Sequence, residues 1–147
     1  MPTVLFLCTG NYYRSRFAEM FFNDLASRRG LAWRAVSRGM RQASPELVGP
    51  ISPLTVERLT SHGIACDNLR SPQESCEADL TSADVVIALK EQEHRPMMQR
   101  KFPHLVDRVQ YWHVHDLDCA PAEQALAEIE QLVVGLLEQL HAAAGDD

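Results

Sequence analysis

A short apolar strand that leads directly into a cysteine-containing loop and a helix is the feature that most constrains the fold. Residues 3–7 read as a fully buried strand because the run is apolar and includes the β-branched Val4. From Ser15 to Arg28, apolar residues recur at three- and four-residue spacings, which predicts a helix with one apolar face. A strand followed by a helix in this way is the first half of a βαβ unit.

The same alternation continues along the chain. Strands are predicted at residues 33–37, 84–89 and 108–112, helices at 52–63, 90–100 and from Pro121 onward, and irregular structure at 65–80. This order predicts one α/β domain over residues 1–147, with a mainly parallel sheet covered on both faces. Ligands of such sheets bind beyond the carboxyl ends of the strands, so Cys8 and the segment after Trp112 are expected at one rim.

Composition argues against several classes of partner. The net charge is −6, from 20 acidic and 14 basic residues, which disfavours binding to nucleic acid or to an anionic membrane. No apolar run approaches the roughly 20 residues that span a bilayer, and the N-terminus lacks the pattern of a secretory signal. We therefore expect a cytoplasmic protein with free thiols. The four cysteines are Cys8, Cys66, Cys76 and Cys119. They lack the paired spacing of a zinc site, so neither a metal nor a cofactor is expected.

The loop from Cys8 to Ser15 combines an anion site with a nucleophile. A strand-to-helix loop directs backbone N–H groups at one point, which suits a phosphate-like dianion. Arg14 can hold such an anion through two parallel hydrogen bonds, and the positive potential favours the thiolate form of Cys8. Gly10 permits close backbone approach, and Asn11 tolerates the left-handed conformation that tight loops need. These residues predict the chemistry of a cysteine-dependent phosphatase.

At these positions the chain resembles the low-molecular-weight protein tyrosine phosphatase family. The match is strongest where Cys8-Thr9-Gly10-Asn11 is followed by Arg14-Ser15, and it extends over essentially the whole chain. Further matching positions are Ala18, Glu19, Ser37, Gly39, Pro53, residues 62–64, residues 85–89 and residues 112–116. The resemblance implies a four-stranded parallel sheet with helices on both faces. It also implies hydrolysis of phosphomonoesters, with phosphotyrosine in a protein or a small aryl phosphate as substrate.

The resemblance further implies a role for the loop residues. Cys8 would attack phosphorus and form a phosphocysteine, Arg14 would bind two phosphoryl oxygens, and Ser15 would hydrogen-bond the Cys8 thiolate. Asn11 would hold the loop in shape with Ser15 and Ser37 as partners. Phosphate and other oxyanions would inhibit by occupying the same site. The phosphate-binding and loop-supporting set also includes Thr9, Gly10, Tyr12 and Tyr13.

A proton donor for the leaving group is expected after the fourth strand. The family carries an Asp there, usually followed by Pro, and this chain has Asp116 and Asp118 without that proline. Matching the segment on Trp112 and Val114 favours Asp116 as the general acid. Asp118 lies close to the start of the last helix, which suits a capping residue.

Several positions depart from the family pattern. Tyr12 and Tyr13 replace an aliphatic residue and a second cysteine, so the loop itself carries no second thiol that could trap oxidised Cys8 as a disulfide. Asn68 and Lys90 stand where a His and an Asp often support the site, and Arg16 replaces a proline. These changes bear on substrate range and efficiency more than on reaction type.

Two other functions fit parts of the sequence. An arsenate reductase on the same fold needs the same loop and two further cysteines, but residues 90–100 contain none, and Cys66 and Cys76 could serve only if their loop reached Cys8. A non-catalytic module that binds phosphate or phosphotyrosine needs the loop without turnover. The joint presence of Cys8, Arg14, Ser15 and an acid candidate argues against this second alternative.

Overall fold

The computed structural model describes residues 1–67, 69–114 and 121–145, and in these parts strands and helices alternate. The strands are β1 (Thr3–Cys8), β2 (Arg34–Gly39), β3 (Val85–Ala88) and β4 (Gln110–Tyr111). The helices are α1 (Arg14–Arg28), α2 (Pro53–Ser61), α3 (Glu77–Ser82), α4 (Glu91–Lys101) and α5 (Ala122–Gly145), with a 3-10 helix at Pro103–Arg108.

The four strands form one parallel sheet in the order β2-β1-β3-β4. β1 lies at the centre, where Leu5 pairs with Val36 on one side and Val86 on the other. The predicted α/β fold with a four-stranded parallel sheet is thereby confirmed. The expectation of irregular structure at 65–80 was wrong at its end, because α3 begins at Glu77.

The central strand sends alternate side chains to two cores, as its position between two layers of helices requires. On one face Val4 and Phe6 pack with apolar residues of α1, α2 and α5. On the other face Leu5 and Leu7 pack with apolar residues of α3, α4 and the 3-10 helix. All four of these β1 side chains are fully buried, so the strand that carries the cysteine loop is held from both sides.

The carboxyl end of the sheet carries the polar side chains of interest. Cys8 ends β1 and pairs with Gly39 at the end of β2, while β3 leads through Lys90 into α4. Ser52 caps α2, since its side chain accepts a hydrogen bond from the Leu54 backbone N–H at 3.2 Å. The helices in the described part of the chain include none that is long and apolar enough to span a bilayer.

Candidate active site

The loop between β1 and α1 forms the floor of a cavity of about 560 Å³. Because α1 begins at Arg14, the N-terminal N–H groups and the positive end of the helix dipole face this loop. The far wall comes from the connection between β2 and α2. The lining residues are Cys8, Thr9, Gly10, Tyr12, Tyr13, Arg14, Arg41, Gln42, Ala43, Ser44, Pro45 and Leu47.

Cys8 is 3% exposed, and its sulfur has a hydroxyl neighbour. The Sγ atom lies 2.8 Å from the Oγ of Ser15. Ser15 also accepts a hydrogen bond from the Nδ2 of Asn11 at 2.9 Å. Because Asn11 supplies a hydrogen to that oxygen, the hydroxyl hydrogen of Ser15 can be donated to the sulfur. A thiolate at Cys8 would therefore receive a hydrogen bond from a fixed donor.

Asn11 belongs to the loop and is fully buried, with a φ of 53° in the left-handed region. Its Nδ2 donates to Ser37 as well as to Ser15, both at 2.9 Å. Its Oδ1 accepts from the guanidinium of Arg70 at 2.9 Å and from the Gln73 N–H at 3.1 Å. The side-chain amide thus uses both of its atoms, which fixes a backbone conformation that asparagine adopts more readily than most residues.

Arg70 also contacts Asn11 and Ser37, which the sequence did not indicate. Its Nη2 donates to the Oγ of Ser37 at 3.0 Å and pairs with Glu19 at 3.2 Å. Arg16, which stands where the family usually has proline, is 1% exposed and donates to the backbone oxygens of Pro50 and Arg70. Burial lowers the pKa of the Arg16 guanidinium. Arg16 and Arg70 therefore connect the loop and the first turn of α1 to segments that are distant in the sequence.

Gly39 lies directly against the backbone of the loop. A Cβ at this position would lie 3.0 Å from the Asn11 nitrogen, the Gly10 carbonyl carbon and the Arg41 oxygen. At Gly10, where close approach was expected, a Cβ would meet the Cα of Ala43 at an ordinary 3.9 Å. The contacts with other protein atoms therefore require a glycine at position 39, at the end of β2, and not at position 10.

The two tyrosines of the loop occupy different environments. Tyr13 is 8% exposed, and its hydroxyl donates to the backbone oxygen of Ala122 at 3.3 Å. Tyr12 is half-buried in the cavity wall, and its hydroxyl donates to the Val48 oxygen at 2.5 Å. Tyr13 therefore links the loop to the start of α5, while Tyr12 links it to the opposite wall.

Arg14 is 4% exposed and pairs with a carboxylate from α4. Its Nη2 lies 3.2 Å from the Oε1 of Glu93, which also accepts a hydrogen bond from the hydroxyl of Thr9. The neighbouring His94 is fully buried and lies 3.2 Å from the same hydroxyl. Neither Glu93 nor His94 was singled out from the sequence, because both belong to a helix whose pattern is simply polar.

The acid candidates Asp116 and Asp118 lie outside the described residues, as does Asn68. The described segment before Asp116 ends at the buried Val114, whose N–H donates to the Leu89 oxygen at 2.9 Å. The chain after them begins α5 at Ala122, beside Tyr13. Lys90 is the N-cap residue of α4.

The remaining described cysteines lie away from the loop. Cys66 is half-buried against the core, and Cys76 is the exposed N-cap residue of α3, where it bonds to Asp79. Neither lines the cavity with Cys8. Within residues 1–67, 69–114 and 121–145, no group of three His, Cys, Asp or Glu side chains is arranged to hold a metal ion. A parallel α/β sheet that presents a cysteine and an arginine in one strand-to-helix loop fits the class of cysteine-dependent phosphatases.

Comparison with known proteins identifies the family. Residues 3–144 match the model for low molecular weight phosphotyrosine protein phosphatase. A protein-arginine-phosphatase of Bacillus subtilis is 37% identical over 106 residues, which span 72% of this chain and 67% of that protein. The low molecular weight protein-tyrosine-phosphatase YfkJ of the same organism is 36% identical over 89 residues, which span 60% and 56%. The crystal structure of YfkJ matches with a TM-score of 0.84 at 25% identity, covering 97% of this chain and 96% of that chain.

This chain therefore belongs to the low molecular weight phosphotyrosine protein phosphatase family, a family of cysteine-dependent hydrolases. The resemblance found in the loop is confirmed over nearly the whole chain. The arsenate reductase alternative is not favoured, since the matched relatives are phosphatases.

Proposed function

We propose that this chain hydrolyses phosphomonoesters through a phosphocysteine on Cys8, with phosphotyrosine in proteins as its substrate class. The observation that carries the proposal is the contact between the Cys8 sulfur and the Ser15 hydroxyl at 2.8 Å, at the floor of a cavity that Arg14 also lines. A nucleophile with a fixed hydrogen-bond donor, placed beside a bidentate cation, suits transfer of a phosphoryl group.

The first step is an in-line displacement at phosphorus. The Cys8 thiolate forms the S–P bond as the bond from phosphorus to the leaving oxygen breaks. The guanidinium of Arg14 and the amides of the loop hold the equatorial oxygens, where negative charge spreads in the transition state. Asp116 donates a proton to the leaving oxygen, so that a neutral phenol departs.

The second step releases phosphate and restores the enzyme. Water attacks the phosphocysteine, and the same Asp116, now a carboxylate, accepts a proton from it. The S–P bond breaks and the thiolate leaves, accepting the hydrogen bond of Ser15. Inorganic phosphate, the product, occupies the anion site, so phosphate and similar oxyanions are inhibitors. Every bond in the two steps is made by the chain, the ester and water, so no cofactor is proposed.

The cavity wall supports a preference for aryl esters. Tyr12 contributes an aromatic ring and Leu47 and Pro45 contribute apolar surface at the mouth, which suits a phenyl ring. Arg41 also lines the wall. A cation at this place disfavours a positively charged leaving group.

Phosphoarginine is the second candidate substrate. It is favoured by the 37% identity with a protein-arginine-phosphatase. The two candidates differ in the leaving group, since phosphoarginine carries a guanidine in place of a phenol. Hydrolysis of a phosphotyrosine peptide and of phosphoarginine, measured side by side, gives the order of preference, and we expect the aryl ester to be hydrolysed faster.

The need for a free thiol at Cys8 favours a location in a reducing compartment. Cys8, Cys66 and Cys76 are free thiols, and the proposed reaction requires Cys8 to remain one. We therefore propose a cytoplasmic location, for which fractionation of the native host is the direct test.

The activity is tested with para-nitrophenyl phosphate and the Cys8→Ser variant. We expect turnover by the wild type, no change on addition of a chelator, and loss of turnover in Cys8→Ser. Cys76→Ser, which changes an exposed thiol on α3, is the matched control and should retain wild-type turnover. Activity that survives in Cys8→Ser, or that the chelator abolishes, would contradict the proposal.

A further inference from the structure

A carboxylate from α4 contacts the guanidinium that the proposed reaction uses. The Oε1 of Glu93 lies 3.2 Å from the Nη2 of Arg14, and its Oε2 lies 3.5 Å from both Nη1 and Nη2. The Arg14 side chain is 5% exposed and that of Glu93 is 25% exposed. An ion pair that is largely removed from water, with two oxygens facing two nitrogens, restricts the plane of the guanidinium.

Glu93 is itself fixed by a chain of hydrogen bonds. The backbone N–H of Lys90 donates to the Nδ1 of His94 at 3.1 Å, so a neutral His94 ring carries its hydrogen on Nε2. That nitrogen lies 3.2 Å from the hydroxyl of Thr9, which in turn donates to the Oε1 of Glu93. The chain runs from the first turn of α4 to the loop, and it leaves the Glu93 carboxylate little freedom to rotate.

The carboxylate remains ionised in this setting. Burial raises the pKa of Glu93, but the hydrogen bond from Thr9 and the positive charge of Arg14 outweigh it and hold the pKa below its usual value. Glu93 thus stays a negative partner for an arginine that is always positive.

Glu93 does not compete for the cavity. Arg14 and Thr9 line the space above Cys8, whereas Glu93 is not among the lining residues. Because a guanidinium has five N–H donors, Arg14 can keep its contact with Glu93 and still donate to a phosphoryl group above Cys8.

We propose that Glu93 is a positioning residue for phosphoryl transfer, which holds the guanidinium of Arg14 in the plane required by the transition state and is itself oriented by His94 through Thr9. The proposal rests on the phosphatase activity proposed above. In this role Glu93, a residue of α4, acts on the reaction from outside the loop of residues 8–15.

The first test compares Glu93→Gln with Glu91→Gln. Both variants remove one carboxylate from the first turn of α4, but Glu91 pairs with Arg95 at 2.7 Å and not with the loop. For Glu93→Gln we expect kcat for para-nitrophenyl phosphate to fall about 10- to 100-fold, with a smaller rise in KM. Inorganic phosphate should inhibit this variant several-fold more weakly, and Glu91→Gln should resemble the wild type.

Two outcomes would overturn the proposal. If Glu93→Gln binds phosphate more tightly and keeps or raises kcat, Glu93 is a competing anion and not a support for Arg14. If kcat and phosphate inhibition are both unchanged, the contact has no part in the reaction.

A double-mutant cycle tests whether Glu93 acts through Arg14. In an Arg14→Lys background, Glu93→Gln should lower kcat much less than it does in the wild type, because the guanidinium that it positions is gone. Effects that multiply in full would show that Glu93 acts independently of Arg14 and would overturn the proposal.

Two further measurements keep the proposal testable in other circumstances. If Glu93→Gln unfolds more readily than the wild type, Thr9→Val removes the hydroxyl that orients Glu93, and it should lower kcat by a smaller factor. If the wild type has no turnover, calorimetric titration with inorganic phosphate still compares Glu93→Gln with Glu91→Gln. In that case the proposed function fails, and weaker phosphate binding in Glu93→Gln alone would support the positioning role, whereas equal binding would overturn it.

Discussion

The Sγ atom of Cys8 lies 2.8 Å from the Oγ atom of Ser15, and Asn11 donates to the same oxygen at 2.9 Å. This arrangement directs the Ser15 hydroxyl hydrogen towards the sulfur, which matters most when the thiolate leaves phosphorus. We expect Ser15→Ala to slow the second step more than the first. A rapid-mixing experiment should then show a burst of para-nitrophenol followed by turnover about 10- to 100-fold slower than in the wild type. Ser61→Ala on α2 is the control, and a slow first step without a burst would contradict this role.

Iodoacetate should label Cys8 before the more exposed Cys76. The reagent is an anion, and the cavity above Cys8 is lined by Arg14 and lies at the N-terminal end of α1. Addition of inorganic phosphate should protect Cys8 and leave labelling of Cys76 unchanged. Peptide mapping by mass spectrometry measures both sites in one sample. Faster labelling of Cys76 or Cys66 at mildly acidic pH would count against an anion site at this loop.

Arg14→Lys should lose most of its turnover although the charge is kept. One ammonium group cannot make the planar, two-point contact of a guanidinium with two phosphoryl oxygens, and it cannot match the two oxygens of Glu93 either. A charge-assisted hydrogen bond contributes roughly 1.5–3 kcal/mol, which corresponds to at least about a tenfold fall in kcat. Arg28→Lys at the exposed end of the same helix is the control. A variant that keeps more than about a third of the wild-type rate would argue against two-point binding.

The outcome for Asn11 and Arg70 shows which contacts a sequence can reveal. The resemblance to the family implied contacts of Asn11 with Ser15 and Ser37, and the structure brings the three side chains within hydrogen-bond distance. Arg70 lies 59 positions from Asn11, in a segment without helical or strand periodicity, so no pattern connected the two.

The secondary structure also contains elements that the sequence predicted well and elements that it did not. The continuous apolar run of β1 and the apolar periods of α1 and α5 predicted the positions of these elements within a residue or two, because each pattern extends along the whole element. Helix α3 was missed because its six residues span fewer than two turns and bury only Leu80. Strand β4 was predicted too long, since it lies at the edge of the sheet and only Gln110 and Tyr111 pair with β3.

Arg70→Met should lower kcat about 5- to 30-fold and lower the free energy of unfolding by about 2 kcal/mol. The variant keeps the apolar stem but removes the hydrogen bonds to Asn11 and Ser37, each of which contributes about 1 kcal/mol. Arg29→Met, at an exposed position just after α1, is the matched control. Steady-state kinetics and urea unfolding of both variants decide the question: a large loss of stability without loss of kcat would make Arg70 a purely structural residue.

Glu130→Gln should lower the free energy of unfolding by about 1–2 kcal/mol at pH 7. Glu130 accepts hydrogen bonds from Arg58 at 2.7 and 2.9 Å and lies 2.7 Å from the Nε2 of His62, which joins α5 to α2. Burial raises the pKa of Glu130, but the bonds and charges of Arg58 and His62 outweigh it, so the pKa is below its usual value.

The sign of the pH dependence follows from that direction. A carboxyl group whose pKa is lower in the folded state stabilises that state above its unfolded pKa of about 4.3, and the contribution is lost as the pH falls through the folded pKa. The difference between wild type and Glu130→Gln should therefore shrink as the pH is lowered below about 4. Glu138→Gln, at an exposed position on α5, is the control for urea unfolding at each pH. A difference that stays constant across this range would exclude the carboxylate as its cause.

Asp116→Asn should lower turnover of phenyl phosphate by about 10²–10⁴. Phenolate is a poor leaving group and needs the proton that Asp116 donates, whereas para-nitrophenolate departs with less help, so para-nitrophenyl phosphate should be affected much less. Asp118→Asn should behave nearly like the wild type on both esters, and it should change stability little, because asparagine caps a helix about as well as aspartate does. Both ends of the intervening segment are anchored at the active-site edge of the sheet, by Val114 on the Leu89 oxygen and by Ala122 on the Tyr13 hydroxyl. Measuring both variants on both esters therefore separates the assignments: a leaving-group dependence that follows Asp118 moves the acid by two residues, and one that follows neither places the proton donor outside this segment.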